Sequence, residues 1–153
     1  MARIEGMHLT PLGGGDVLIE PGEGFDPTDP DLYAEPLLAW LQAQRALRLI
    51  YDLGNVVLLD QVYYAWLLRL ERLCRLADVE LVVVNMRPAA AFALARILRE
   101  PPPFACALDV DRARARPPRR AAQARAAEAA ARCQSAQPAK ATDAAASSSQ
   151  PSR

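Results

Sequence analysis

Two short, almost continuously apolar runs, Leu47–Leu53 and Leu81–Val84, flank a single amphipathic stretch, and this arrangement leaves few architectures open. Runs of this length, rich in Leu, Ile and Val, are short for buried helices and lack the alternation of a strand with one wet face. They read as strands covered on both sides. Such strands joined through a helix form a parallel sheet with helices packed on it. The stretch between them, about Gln61 to Ala77, places Tyr63, Trp66, Leu67, Leu70, Leu73, Cys74 and Ala77 on one side at 100° per residue, with Glu71, Arg72 and Arg75 turned away. Asp60 stands where the N-cap of that helix belongs.

The remaining segments fit around this core. Gly13-Gly14-Gly15-Asp16 predicts a hairpin turn between strands at Met7–Leu12 and Val17–Pro21. No Gly-Lys-Ser/Thr follows the glycines, so they are not a phosphate loop. Asp29 and Pro30 predict a helix start, with Leu37, Leu38, Trp40 and Leu41 as its apolar face up to about Arg45. Pro36 inside it predicts either a kink or a start at Glu35. Pro88 opens a further helix, Ala89–Glu100, which Pro101-Pro102-Pro103 stops, and Cys106–Val110 predicts a last strand.

From about Arg112 the chain turns to Ala, Arg, Pro, Gln and Ser. Residues 1–110 hold 9 arginines against 15 acids, a net charge of −6, whereas residues 111–153 hold 9 basic and 3 acidic residues, a net +6. A segment with so few large apolar side chains cannot offset its ordering entropy, so residues 1–116 are expected to form the domain and 117–153 a disordered tail, with a transient helix at the alanines of 121–131. The tail arginines have no aromatic residues beside them for base stacking, and no dedicated nucleic-acid site is indicated.

Little catalytic chemistry is on offer. His8 lies in an edge strand without a Ser or Cys partner in a nucleophile motif. Cys74, Cys106 and Cys133 have neither metal-ligand nor disulfide spacing; Cys74 and Cys106 read as small core residues and Cys133 as an exposed thiol. The acids of residues 20–31 lack calcium-loop spacing, so no metal and no cofactor are expected. A phosphoacceptor receiver domain would end a central strand at an acid such as Asp52, but its acidic pair and late Lys are missing. No run reaches the ~18 apolar residues that span a bilayer, and the N-terminus lacks an apolar signal core. A cytoplasmic protein without membrane insertion is expected. One surface feature stands out: Tyr64 and Leu68, at i, i+4 on the polar side of the central helix, predict an exposed docking edge.

The stretch Leu49–Gln61, the run Leu81–Ala91 with its Arg87-Pro88 step, and Ala105–Val110 together resemble the STAS domain, the fold of bacterial anti-anti-sigma factors and of stressosome scaffold proteins. The resemblance covers most of residues 7–112. It implies an α/β fold with a mixed, largely parallel sheet of four or five strands and three or four helices. It also implies a non-enzymatic binding module of a partner-switching or stressosome-like system, whose partners are an anti-sigma factor, a switch serine/threonine kinase or other STAS proteins. In that family an Asp-Ser or Asp-Thr step at a helix N-terminus is phosphorylated. Here Asp60 matches the Asp and Gln61 occupies the hydroxyl position, so the site cannot be switched at that residue. Binding is expected to centre on Asp60, Gln61, Val62, Tyr64 and Leu68. An accessory subunit of a membrane lipid-transport ATPase, using the same helix, is the alternative.

Overall fold

The computed structural model describes residues 4–135. Strands β1 (Met7–Gly13) and β2 (Asp16–Pro21) form the predicted hairpin, and α1 (Asp31–Ala43), β3 (Arg48–Asp52), α2 (Gln61–Leu76), β4 (Glu80–Val84), α3 (Pro88–Ile97) and β5 (Ala105–Cys106) follow. Two further helices close the described chain, α4 (Val110–Ala115) and α5 (Arg119–Ser135). The strands lie in chain order, β1-β2-β3-β4-β5. Among the five described strands only the β1/β2 pair is antiparallel; β2 through β5 run parallel.

Successive strand residues face opposite ways, and the two faces are covered differently. Val17 and Ile19, Leu49 and Tyr51, and Leu81 and Val83 join Leu37, Leu41, Trp66, Leu67, Leu70 and Leu94 in the main core under α1, α2 and α3. Ile50, Val82 and Val84 face the other way and pack with Ala113 of α4. One helix of six residues therefore covers the second face over β3 and β4, which the sequence did not predict.

A row of charges lies beside α4. Asp16, Arg48 and Glu80 are register partners on three adjacent strands. The Arg48 side chain is 1% exposed, and both acids are about one-tenth exposed. Its guanidinium lies 3.6 Å from Asp16 Oδ1 and 3.6 Å from Glu80 Oε2. It also donates to the carbonyls of Ala113, at 2.6 Å, and Arg116. Those carbonyls belong to the C-terminal end of α4, where a cation complements the helix dipole. Arg114 pairs with Asp16 and Arg116 with Glu80 from the far side.

Several local expectations are corrected. The α1 cap is Pro30, with no side-chain bond, and the helix starts at Asp31 and runs through Pro36. Glu71, placed by the helical wheel away from the core, is 9% exposed and accepts from Arg75 at 2.6 Å. The last strand is only Ala105–Cys106, because Asp109 instead caps α4 by accepting from the Arg112 amide at 2.7 Å. Cys106 is exposed, whereas Cys74 is buried as expected. The helix predicted at the alanines of 121–131 is longer, Arg119–Ser135, and the rest of the predicted tail, 136–153, lies outside the described residues.

A hydrogen-bonded chain runs through the main core. Trp66 Nε1 donates to the Tyr51 hydroxyl at 3.0 Å, which lies 2.8 Å from the Tyr63 hydroxyl. Burial pushes the Tyr51 phenol well up and that of Tyr63 to about 12, and it raises the Cys74 thiol too. Each group is thus held neutral in the folded state above its unfolded pKa. Its stabilisation is complete below that unfolded value, near 9 for the thiol and 10 for the phenols, and is lost as pH rises through the folded one. Urea midpoints should therefore hold steady up to about pH 9 and fall increasingly steeply above about pH 10. Tyr63→Phe should flatten that decline; an unchanged slope would contradict the assignment.

Candidate partner-binding site

The site is the loop from β3 to α2 together with the first turn of α2. Asp52, at the end of β3, sets the loop's course. Its Oδ1 accepts from the Gly54 amide at 2.7 Å and its Oδ2 from Asn85 Nδ2 at 2.8 Å. Arg87 then donates to the Gly54 carbonyl at 2.8 Å. Two side chains of the β4–α3 connection thus grip the neighbouring loop. Asn85 does so from a left-handed backbone at φ +56, a conformation that Asn tolerates better than most residues. A Cβ on Gly54 would lie 3.0 Å from Asp52 Oδ1, so a side chain there would require the carboxylate to give way by a few tenths of an ångström.

Beyond the grip the chain reads Val56-Val57-Leu58-Leu59, and burial divides the four. Val56 and Leu59 are buried at 9% and 2% exposure, whereas Val57 and Leu58 are 88% and 67% exposed. The outer pair anchors the loop and the inner pair is held in solvent. Asp60 follows in extended conformation and caps α2 as predicted, its Oδ1 accepting from the Tyr63 amide at 2.9 Å. Gln61 and Val62 occupy the first exposed turn, with Val62 42% exposed. Val57, Leu58 and Val62 thus form an apolar patch around a polar helix start.

Of the five residues singled out from the sequence, the structure brings Asp60, Gln61 and Val62 together at this exposed end. Tyr64 and Leu68 do not form the exposed edge expected of them: both are half-buried. Tyr64 packs on Phe104, with ring centroids 6.4 Å apart, and its phenol is raised by burial. Leu58 and Val57 were missed because apolar residues in a loop read as core. The available signal was their number: four consecutive apolar residues between Asn55 and Asp60 cannot all turn inward from one short connection. Gln61 and Val62 offer no hydroxyl for phosphorylation, and Tyr63 is buried. Among the described residues no group of three His, Cys, Asp or Glu is placed to hold a metal, and no helix is long and apolar enough to cross a membrane.

No family model and no curated protein matches the chain. Solved structures do. A variant of RsbS from Moorella thermoacetica aligns with a TM-score of 0.58 at 18% identity, over 67% of this chain and 89% of that one. A chain from a structure described as the molecular architecture of the stressosome, a signal integration and transduction hub, aligns at 0.59 and 18% identity over 69% and 90%. The protein TM1081 aligns at 0.51 and 9% identity over 66% and 80%. The fold is therefore STAS-like, as the resemblance in the sequence implies.

Proposed function

We propose that this chain is a non-enzymatic binding module of a partner-switching or stressosome-like signalling system, similar in role to an anti-sigma factor antagonist. The observation that carries this reading is the apolar patch of Val57, Leu58 and Val62 held out in solvent beside the Asp60-capped start of α2. Exposed apolar side chains on an anchored loop lose little freedom on docking, which favours a preorganised contact surface. Similarity to RsbS and to a stressosome component supports an assembly with other STAS proteins, and capture of a switch kinase or anti-sigma factor follows from the resemblance in the sequence.

In this reading Asp60 and Gln61 give the patch a polar centre, and Gln61 keeps the module permanently in its unmodified state. A phosphate would add ~−1.5 to −2 charges at this point. The test is to incubate the chain with its switch kinase and ATP and to follow both intact mass and capture of the kinase or anti-sigma factor. The natural chain should gain no phosphate in this loop and bind equally with and without ATP. Gln61→Ser should gain one phosphate, tolerated by the free amides of the helix start, and bind only without ATP. Phosphate on the natural chain at Thr10 or Thr28 with loss of binding would show that the module is switched elsewhere. Absence of capture in every form would remove the proposal.

A further inference from the structure

The two ends of the helical layer differ in charge. α1 links β2 to β3 and α3 links β4 to β5 across the same face of the sheet, with α2 between them. At the α1 end, residues 4–44 hold eight acids and no lysine or arginine. Asp16 and Asp31 are met by arginines from later in the chain. Glu5, Asp26 and Glu35 are exposed and have no cationic partner among the described residues. Glu5 and Asp26 line a groove of about 450 Å³ together with Ile4, Tyr33, Pro36 and Leu32, the last of them 64% exposed. At the α3 end the sign reverses. Pro88–Ala95 contains no polar side chain, yet Leu94 is the one buried residue of α3. A helix that is apolar all round belongs in an interior, and this one leaves Phe92 67% exposed. Arg96 stands one turn beyond Phe92 on the same side, and Arg99 follows it. Both arginines are exposed and have no acidic partner among the described residues.

We propose that this chain associates with itself head to tail, Phe92 of one copy seated in the groove beside Leu32 of the next, with Arg96 and Arg99 set against Glu5, Asp26 and Glu35. Charge complementarity between unpaired groups names a second copy as the occupant: the groove's acids lack cations of their own, and the arginines beside Phe92 lack acids. Among the described large apolar side chains that are exposed, Phe92 is the aromatic one. A phenyl ring buries a large apolar area at a contact and stacks favourably on other rings, and Tyr33 lies in the wall of the groove. The patch of Val57, Leu58 and Val62 is a poorer guest, because the Asp60 carboxylate beside it would face the groove's own acids. Knob and groove lie at opposite ends of the helical layer, so the contact is heterologous. Each added copy leaves one knob and one groove open, and the chain grows toward rings or open fibres and does not stop at a two-fold dimer.

Sedimentation of the full chain at low salt should give a weight-average mass that rises with concentration above the 16.7 kDa of one copy. Salt at about 1 M, where the screening length is ~3 Å, should lower it. Phe92→Asp should hold the chain at one copy, as should Arg96→Glu with Arg99→Glu, and Leu32→Arg should do so from the groove side. All four positions are exposed, and unchanged urea midpoints serve as the control for folding. The decisive sample is a mixture. Phe92→Asp keeps an intact groove and Leu32→Arg keeps an intact knob, so together they should form a capped pair of two copies that neither forms alone. A natural chain that stays monomeric at every concentration, or a mixture of the two variants that stays monomeric, would overturn the proposal. Association that survives Phe92→Asp but not Leu32→Arg would overturn it too, giving the groove to the basic tail of another copy. None of these substitutions touches Val57, Leu58 or Val62, so self-association and partner capture are tested separately.

Discussion

Arg48→Met should destabilise the domain by about 3–5 kcal/mol, toward the lower end of the range for breaking a buried pair from one side. The substitution keeps the apolar stem but leaves Asp16 and Glu80, each about one-tenth exposed, without the cation between them. It also strands the carbonyls of Ala113 and Arg116 that the guanidinium holds, and unpaired buried acceptors carry their own desolvation cost. Arg114 and Arg116 still reach the two acids, which moderates the loss. In a urea titration the midpoint should fall accordingly, with the thermal transition lowered by roughly 10 °C. Combining Arg48→Met with Asp16→Asn and Glu80→Gln should recover only part of the loss, because the acids then bury no unpaired charge but Arg114 and Arg116 lose their partners and the two carbonyls stay unmet. A single variant as stable as the natural chain would show that the row is not needed to hold α4.

Val57→Asp with Leu58→Asp should strongly weaken partner capture while leaving the fold unchanged. Both side chains are mostly in solvent, so the substitution removes little packing, and the anchors Val56 and Leu59 stay in place. A carboxylate driven into an apolar contact must be desolvated without a partner. The expected cost to binding is ~2–4 kcal/mol, the range of interface hot spots, or roughly 30- to 1,000-fold in affinity. Titration of the captured kinase or anti-sigma factor against the double variant gives the number, and its urea midpoint gives the control. Undiminished binding would move the contact surface elsewhere. Parallel losses of binding and stability would mean that the loop belongs to the core.

The parts of the fold that repeat a simple period were legible in the sequence. The apolar runs became β3 and β4, and the wheel of α2 was right at Tyr63, Trp66, Leu67, Leu70 and Cys74. Glu71 broke the pattern because a carboxylate paired with Arg75 can be buried where a bare one cannot. α4 escaped notice for another reason. Six residues with Ala113 as their one buried side chain carry no amphipathic signature, and what fixes them is Arg48, 65 residues earlier. The charge split between body and tail was visible, but its meaning required the fold: Arg114, Arg116 and Arg120 meet Asp16, Glu80 and Asp78. At the candidate site Asp60 could be placed from local rules, since a cap depends only on the next three residues. The outward turn of Val57 and Leu58 could not, because it depends on the hold that Asn85 and Arg87 take on the preceding loop.

Strand order has a consequence for how the chain is made. Because the sheet runs β1-β2-β3-β4-β5 in order of synthesis, every strand after β1 finds a neighbour already present when it leaves the ribosome. No gap has to be held open for a later insertion, and the entropic cost of closing each connection grows only slowly with its length. The exception is Arg48, whose acceptors at Ala113 and Arg116 are synthesised 65 and 68 residues after it. Until they arrive, the second face of β3 and β4 lacks its cover, so the nascent sheet is complete in pairing before it is complete in burial.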